Sequence, residues 1–116
     1  FNMNTQEIFD KVAKHLLTQN AKSGDGSNYL YRGPNGMMCA VGCLIDDNAY
    51  SPDFEKCRIQ SPPVKEALFS SVVVCQHDNE SLLTRLQMIH DYKDVVNWKQ
   101  QLESCANHFG LKFTPV

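Results

Sequence analysis

The apolar residues of this chain recur at helical spacing, and that periodicity limits the fold more than any other feature of the sequence. Ile8, Phe9, Val12, Ala13, Leu16 and Leu17 fall at i, i+1, i+4, i+5, i+8 and i+9, with Asp10, Lys11 and Lys14 on the opposite face. Asn4 has capping-box spacing to Glu7, and the helix is expected to end near Gln19 or Asn20. A last stripe starts near Asp94 and runs through Val95, Trp98, Leu102, Cys105, Ala106 and Phe109. Gly110 then supplies a C-terminal cap, with Leu111 placed for the apolar contact that accompanies it. Between these ends, Ser61-Pro62 opens a short helix with Val64, Ala67, Leu68 and Val72 inward, although the β-branched run Val72 to Val74 also suits an extended end. Asp78 or Asn79 is expected to cap a further helix that buries Leu82, Leu83, Leu86, Ile89 and Tyr92.

One stretch breaks the helical pattern. Tyr29-Leu30-Tyr31-Arg32 is short and aromatic, and Gly33-Pro34-Asn35-Gly36 is a turn, with Pro34 suited to its first central position and Asn35 or Gly36 to positive φ. Met37-Met38-Cys39 reads as the return strand of a small hairpin. The run Cys39 to Ile45 is wholly apolar, and periodicity does not separate a buried strand from a buried helix there. The small residues Ala40 and Gly42 favour a closely packed helix. Asp46 to Asp53 is a polar loop, with Pro52 opening a turn that reaches Cys57. The expected fold is therefore α+β: a mainly helical single domain over residues 3–116, about five helices around one core, and one small β-hairpin near residues 29–39. Phe1 and Asn2 read as vector residues ahead of an initiator Met3. No apolar run approaches the roughly 18 residues of a membrane span.

Charge narrows the partners. Eleven basic side chains stand against thirteen acidic ones, a formal charge of −2, with no basic cluster. Nucleic-acid binding by bulk electrostatics is disfavoured, because phosphate contacts need a positive footprint. Such binding would have to assemble a face from Lys11, Lys14, Lys22 and Arg32. Five cysteines, an odd number at irregular spacing and without a signal peptide, suit reduced thiols in the cytoplasm better than a secreted disulfide framework.

The residues able to carry chemistry concentrate between Tyr29 and Asp53. If Cys39 opens a helix, the helix dipole and free N–H groups there would stabilise its thiolate. His90 is then the candidate base and Asp91 its orienting carboxylate, which gives a cysteine-dependent hydrolase or acyltransferase with a general likeness to papain-like enzymes. The bland alternative packs Cys39 in the core and leaves His90 to terminate a helix. Cys39-x-x-x-Cys43, Cys75-x-His77 and Cys105-x-x-His108 lack the paired spacing of a zinc site. Counted as a calcium loop, the stretch from Asp46 or Asp47 through Asp53 and Glu55 lacks the required glycine and glutamate. No metal and no cofactor is expected. Tyr29, Tyr31, Arg32 and Tyr50 combine apolar faces with polar tips, the composition of a contact surface, or else they close the core over the hairpin.

The stretch Tyr31-Arg32-Gly33-Pro34-Asn35-Gly36 followed by Cys39-Ala40-Val41-Gly42-Cys43-Leu44-Ile45 resembles a motif of small uncharacterised proteins of bacterial mobile elements, such as phage and integron gene cassette proteins. That resemblance implies a bacterial cytoplasmic accessory protein and carries over no activity, ligand or functional residue. The leading expectation is a non-enzymatic module that binds a protein or small ligand through Tyr29, Tyr31, Arg32 and Tyr50. A two-fold homodimer is a further expectation, since such dimers are the commonest small oligomers. The alternative is the hydrolase built on Cys39, His90 and Asp91.

Overall fold

A computed structural model of the chain describes residues 4–24, 29–57, 61–71 and 77–114, with side chains throughout those spans except at 69–71 and 77–79. Four α-helices carry the fold: α1 (Thr5–Gln19), α2 (Pro62–Ser71), α3 (His77–Tyr92) and α4 (Trp98–Phe109). Helix α1 begins as its sequence dictates. The Asn4 carboxamide accepts from the Glu7 amide at 2.8 Å, and the Glu7 carboxylate accepts from the Asn4 amide at 3.1 Å. The helix stops at Asn20, whose left-handed backbone turns its N–H back onto the Leu16 carbonyl. Helix α4 follows a short 3-10 turn at Val95–Asn97 and ends at Gly110, with the Leu111 amide bonded to the Ala106 carbonyl at 2.8 Å.

Helices α1, α3 and α4 pack on one another, and their inward stripes supply most of the core. Ile8, Phe9, Val12 and Leu16 meet Leu82, Leu86, Trp98 and Leu102, all of them out of contact with solvent. Each such side chain contributes about 1.5–3 kcal/mol by leaving water. Helix α2 adds Val64, Ala67 and Leu68; Val72 and the run to Val74 lie outside the described residues. Helix α3 starts at His77, so Asp78 and Asn79 fall inside its first turn rather than capping it. Tyr92, expected in the core, is 76% exposed.

The fold class differs from the α+β expectation. Among the described residues there is no strand and no sheet, and the fifth expected helix is absent. The segment read as a hairpin keeps its turn. Asn35 and Gly36 both take positive φ, and the Gly33 amide bonds to the Met37 carbonyl at 2.7 Å. It forms isolated bridges only, Arg32 with Met38 and Gly24 with Tyr29.

Side chains take the places a neighbouring strand would fill. The Gln19 carboxamide accepts from the Met38 amide and donates to the Met38 carbonyl, both at 2.9 Å, and the His15 ring meets the same carbonyl at 2.8 Å. The Glu55 carboxylate accepts the amides of Tyr31 at 2.7 Å and Arg32 at 3.1 Å. Gln87 accepts the Val41 amide at 3.0 Å. With these backbone groups satisfied, a ladder has little left to pair.

The run Cys39 to Ile45 is likewise not an α-helix. It makes one turn, continues as a 3-10 turn at Gly42–Leu44, and leaves in extended conformation at Ile45. Gly42 explains the close packing: a Cβ there would sit 2.1 Å from the Tyr31 carbonyl oxygen. No helix among the described residues is long and apolar enough to cross a membrane.

Candidate functional site

Helix α3 has two faces. Leu82, Leu83, Leu86 and Ile89 point into the core, while Thr84, Gln87, Met88, Asp91 and Tyr92 form a second stripe at i, i+3, i+4, i+7 and i+8. That second stripe is one wall of an open groove of about 440 Å³. The opposite wall comes from Tyr29, Leu30 and Tyr31, with Cys39, Glu55 and Cys57 completing it. Tyr29, Met88 and Tyr92 are three of the four large hydrophobic side chains exposed among the described residues, and all three line this groove.

His90 lies behind the groove and is fully buried. Its ring packs against Trp98, with centroids 5.6 Å apart, and meets Tyr29 edge-on at 5.7 Å. The Ser23 backbone amide donates to Nε2 at 2.9 Å, so Nε2 carries no proton. The proton sits on Nδ1 and is donated to Asp91 Oδ1 at 2.8 Å. The imidazole is therefore neutral, and its contact with Asp91 is a hydrogen bond rather than an ion pair. Asp91 Oδ1 also accepts from Gln87 Nε2 at 3.0 Å, while Oδ2 has no hydrogen-bond partner among the described residues.

The residues proposed for cysteine catalysis are neighbours of one groove but not a catalytic pair. Cys39 is buried, and its sulfur accepts from the Gly42 amide at 3.3 Å. Burial pushes its thiol up to about 12, against the smaller opposing effects of the Gly42 and Gln87 hydrogen bonds. Both ring nitrogens of His90 are committed elsewhere, to Ser23 and Asp91. Cys39 also opens no α-helix, which removes the dipole that was to stabilise a thiolate.

The aromatic cluster divides. Tyr29 is half exposed, and the Lys22 ammonium sits 5.0 Å over its ring and 3.3 Å from its hydroxyl. Tyr31 is buried, and its hydroxyl donates to the Cys57 carbonyl at 2.7 Å. Burial raises its phenol well above the ordinary range, with the neighbouring thiols and Glu55 adding to the effect. Arg32 pairs with Asp47 at 2.6 Å and lies 5.0 Å over the Tyr50 ring. The Tyr50 hydroxyl donates to Glu55, and partial burial together with that carboxylate takes its phenol up to about 12. Of the four residues expected at one contact surface, Tyr29 and Tyr31 line the groove, whereas Arg32 and Tyr50 brace the loop beside Glu55.

The four cations considered for nucleic acid do not act together. Lys11 and Lys14 line a separate groove with His15 and Met37, Lys22 is engaged at Tyr29, and Arg32 at Asp47. Among the described residues no three His, Cys, Asp or Glu side chains gather as metal ligands; the pair Cys75 and His77 lies outside the described side chains.

Sequence reasoning missed Gln19, Glu55 and Gln87 as organisers of the loop. Glu55 stood out only as one acid among several, Gln19 is the last residue of α1, and Gln87 lies on the polar side of α3 like any solvated glutamine. The exposed α3 stripe did leave a sign, since Met88 and Tyr92 stand four apart beside Gln87 and Asp91, at helical spacing. No protein-family model, no curated protein and no solved structure matches this chain.

Proposed function

We propose that this chain is a non-enzymatic binding module whose contact surface is the groove between α3 and the Tyr29–Tyr31 segment. The observation that carries the reading is the convergence of Tyr29, Met88 and Tyr92 on one groove. Aromatic and methionine side chains exposed together are characteristic of recognition surfaces, because tyrosine offers a large apolar face at a modest ordering cost and methionine adapts to the shape it meets. The surface differs from the one expected from sequence: Tyr29 and Tyr31 remain in it, Met88 and Tyr92 join it, and Arg32 and Tyr50 serve the loop. The motif Tyr31–Ile45 supports an accessory role in a bacterial mobile element, acting in the cytoplasm. Self-association through the same rim is one form the binding can take.

The hydrolase alternative has no geometric support, since a nucleophile with its thiol near 12 and a histidine with both nitrogens occupied lack the base-assisted contact that acyl transfer requires. The test is site-specific photo-crosslinking in cells, with the probe placed at Met88, at Tyr92, or at the exposed Glu103 of α4. Defined adducts at positions 88 and 92 and none at 103 are the expected outcome. The same adducts at all three positions would remove the groove as the binding surface.

A further inference from the structure

The charges in the groove identify what it receives. Asp91 and Glu55 both line it, and neither is neutralised by a cation among the described residues. Asp91 faces a neutral His90, as the Ser23 amide on Nε2 requires. Glu55 is held by two backbone amides and the Tyr50 hydroxyl, all uncharged donors, while the nearby Arg32 guanidinium goes to Asp47 instead. No Lys or Arg lines the groove among the described residues. Two carboxylates between aromatic walls are complementary to an ammonium or guanidinium group.

The chain supplies its own illustration of that chemistry. The Lys22 ammonium rests over the Tyr29 ring and donates to the Asp91 backbone carbonyl at 3.3 Å. Lys22 thus shows an ammonium held by Tyr29 beside the groove, without lining it.

The shape separates a peptide from a small amine. Small ligands are recognised in pockets that enclose most of their surface. Here Tyr29, Met88 and Tyr92 are each at least about half exposed, and Met88 and Tyr92 stand one helical turn apart along the rim. That is a ridge for successive side chains of an extended segment.

Resting on the groove reading above, we infer that the groove receives an extended peptide segment bearing lysine or arginine, the cation meeting the open Oδ2 of Asp91 and the adjoining apolar side chains lying along Met88 and Tyr92.

The test is calorimetric titration of the whole chain with a capped peptide alternating leucine and lysine, and with counterparts carrying glutamine or glutamate in place of lysine. The lysine peptide should bind about tenfold tighter than the glutamine one, the glutamate peptide should bind more weakly than either, and added salt should narrow the gap. Tyr92→Lys and Met88→Lys place a like charge on the exposed rim and should cost about tenfold in affinity with the melting temperature unchanged. Asp91→Asn keeps an acceptor for His90 and Gln87 and should lose the preference for lysine over glutamine. Equal affinity of the lysine and glutamine peptides, weakened alike by Tyr92→Lys, would overturn the charge inference and leave the groove as a binding surface. Spermidine binding as tightly as the lysine peptide would overturn the peptide inference in favour of a small amine. No binding by any of these probes would overturn the inference, and the groove reading as well if crosslinks at 88 and 92 are also absent.

Discussion

Replacing Gly42 with alanine tests how the central loop is built. The new Cβ would lie 2.1 Å from the Tyr31 carbonyl oxygen, 2.9 Å from its carbon and 3.1 Å from its Cα. Ordinary contact needs roughly 1.3 Å more than the shortest of these. The obstacle is backbone, so no rotamer change relieves it. Tyr31 cannot retreat freely either. Its amide is held by Glu55 and its hydroxyl by the Cys57 carbonyl, both at 2.7 Å, and its carbonyl accepts the Cys39 amide at 3.3 Å. Overpacking costs about 1–3 kcal/mol, and each buried hydrogen bond released adds about 1 kcal/mol. The expected destabilisation is about 3–4 kcal/mol, a fall in Tm of roughly 12–16 °C for a chain of this length. Gly36→Ala is the comparison. Nothing lies within 4 Å of its added Cβ, so only its positive φ is penalised, at about 1 kcal/mol or roughly 4 °C. Thermal melts and urea titrations of both variants measure the difference. Equal melting of the two, or Gly42→Ala within about 3 °C of the parent, would refute the close-packed account of the loop.

Three further outcomes follow from the same geometry. Glu55→Gln turns an amide N–H toward a donor that the carboxylate now accepts, so it should cost about 1–3 kcal/mol in urea unfolding, and the Tyr50 phenol should titrate lower than the parent's value of about 12, though burial keeps it above the ordinary range. Among the described cysteines, the partly exposed Cys57 should alkylate first in the native protein, while Cys39 and Cys105, raised by burial to about 12 and about 11, should react only on unfolding; rapid native labelling of Cys39 would revive the catalytic reading. Burial lowers the His15 pKa, so between its folded and unfolded values the unfolded chain binds more protons, and stability is lost as pH falls below about 6.5. His15→Gln removes this titration, and pH-dependent melts should show a shallower acid slope than the parent.

The legible and the illegible parts of this molecule divide on physical lines. Helix α1 was readable to its caps, because the Asn4–Glu7 box and the stripe from Ile8 to Leu16 are local signals. Gly110 closed α4 for the same reason. The hairpin was misread because its turn is genuine while its partner is remote: the donors and acceptors that a strand would have offered Met38, Tyr31 and Val41 come from Gln19, Glu55 and Gln87. Nothing local distinguishes a glutamine that faces solvent from one that substitutes for a strand. Tyr92 was misplaced because an aromatic at the end of an apolar stripe satisfies the core pattern, and only the position of the loop opposite decides that it stays outside. The pairing of Asp91 with a neutral His90 depends on the Ser23 amide, 67 positions away in sequence.

The way the loop is held has a consequence for the order of assembly. Gln19 belongs to α1, Glu55 to the turn at Pro52–Lys56, and Gln87 to α3, so the loop's anchors span nearly seventy positions. The contacts they make span 19, 24 and 46 positions, each shorter than the stretch of chain between α1 and α3, so seating the loop closes less chain than joining those helices. The Tyr31–Ile45 segment can therefore settle on Gln19 and Glu55 before α3 reaches it. The Tyr29–Tyr31 wall of the groove is then built first, and the α3 rim of Met88 and Tyr92 is brought to a surface already waiting for it.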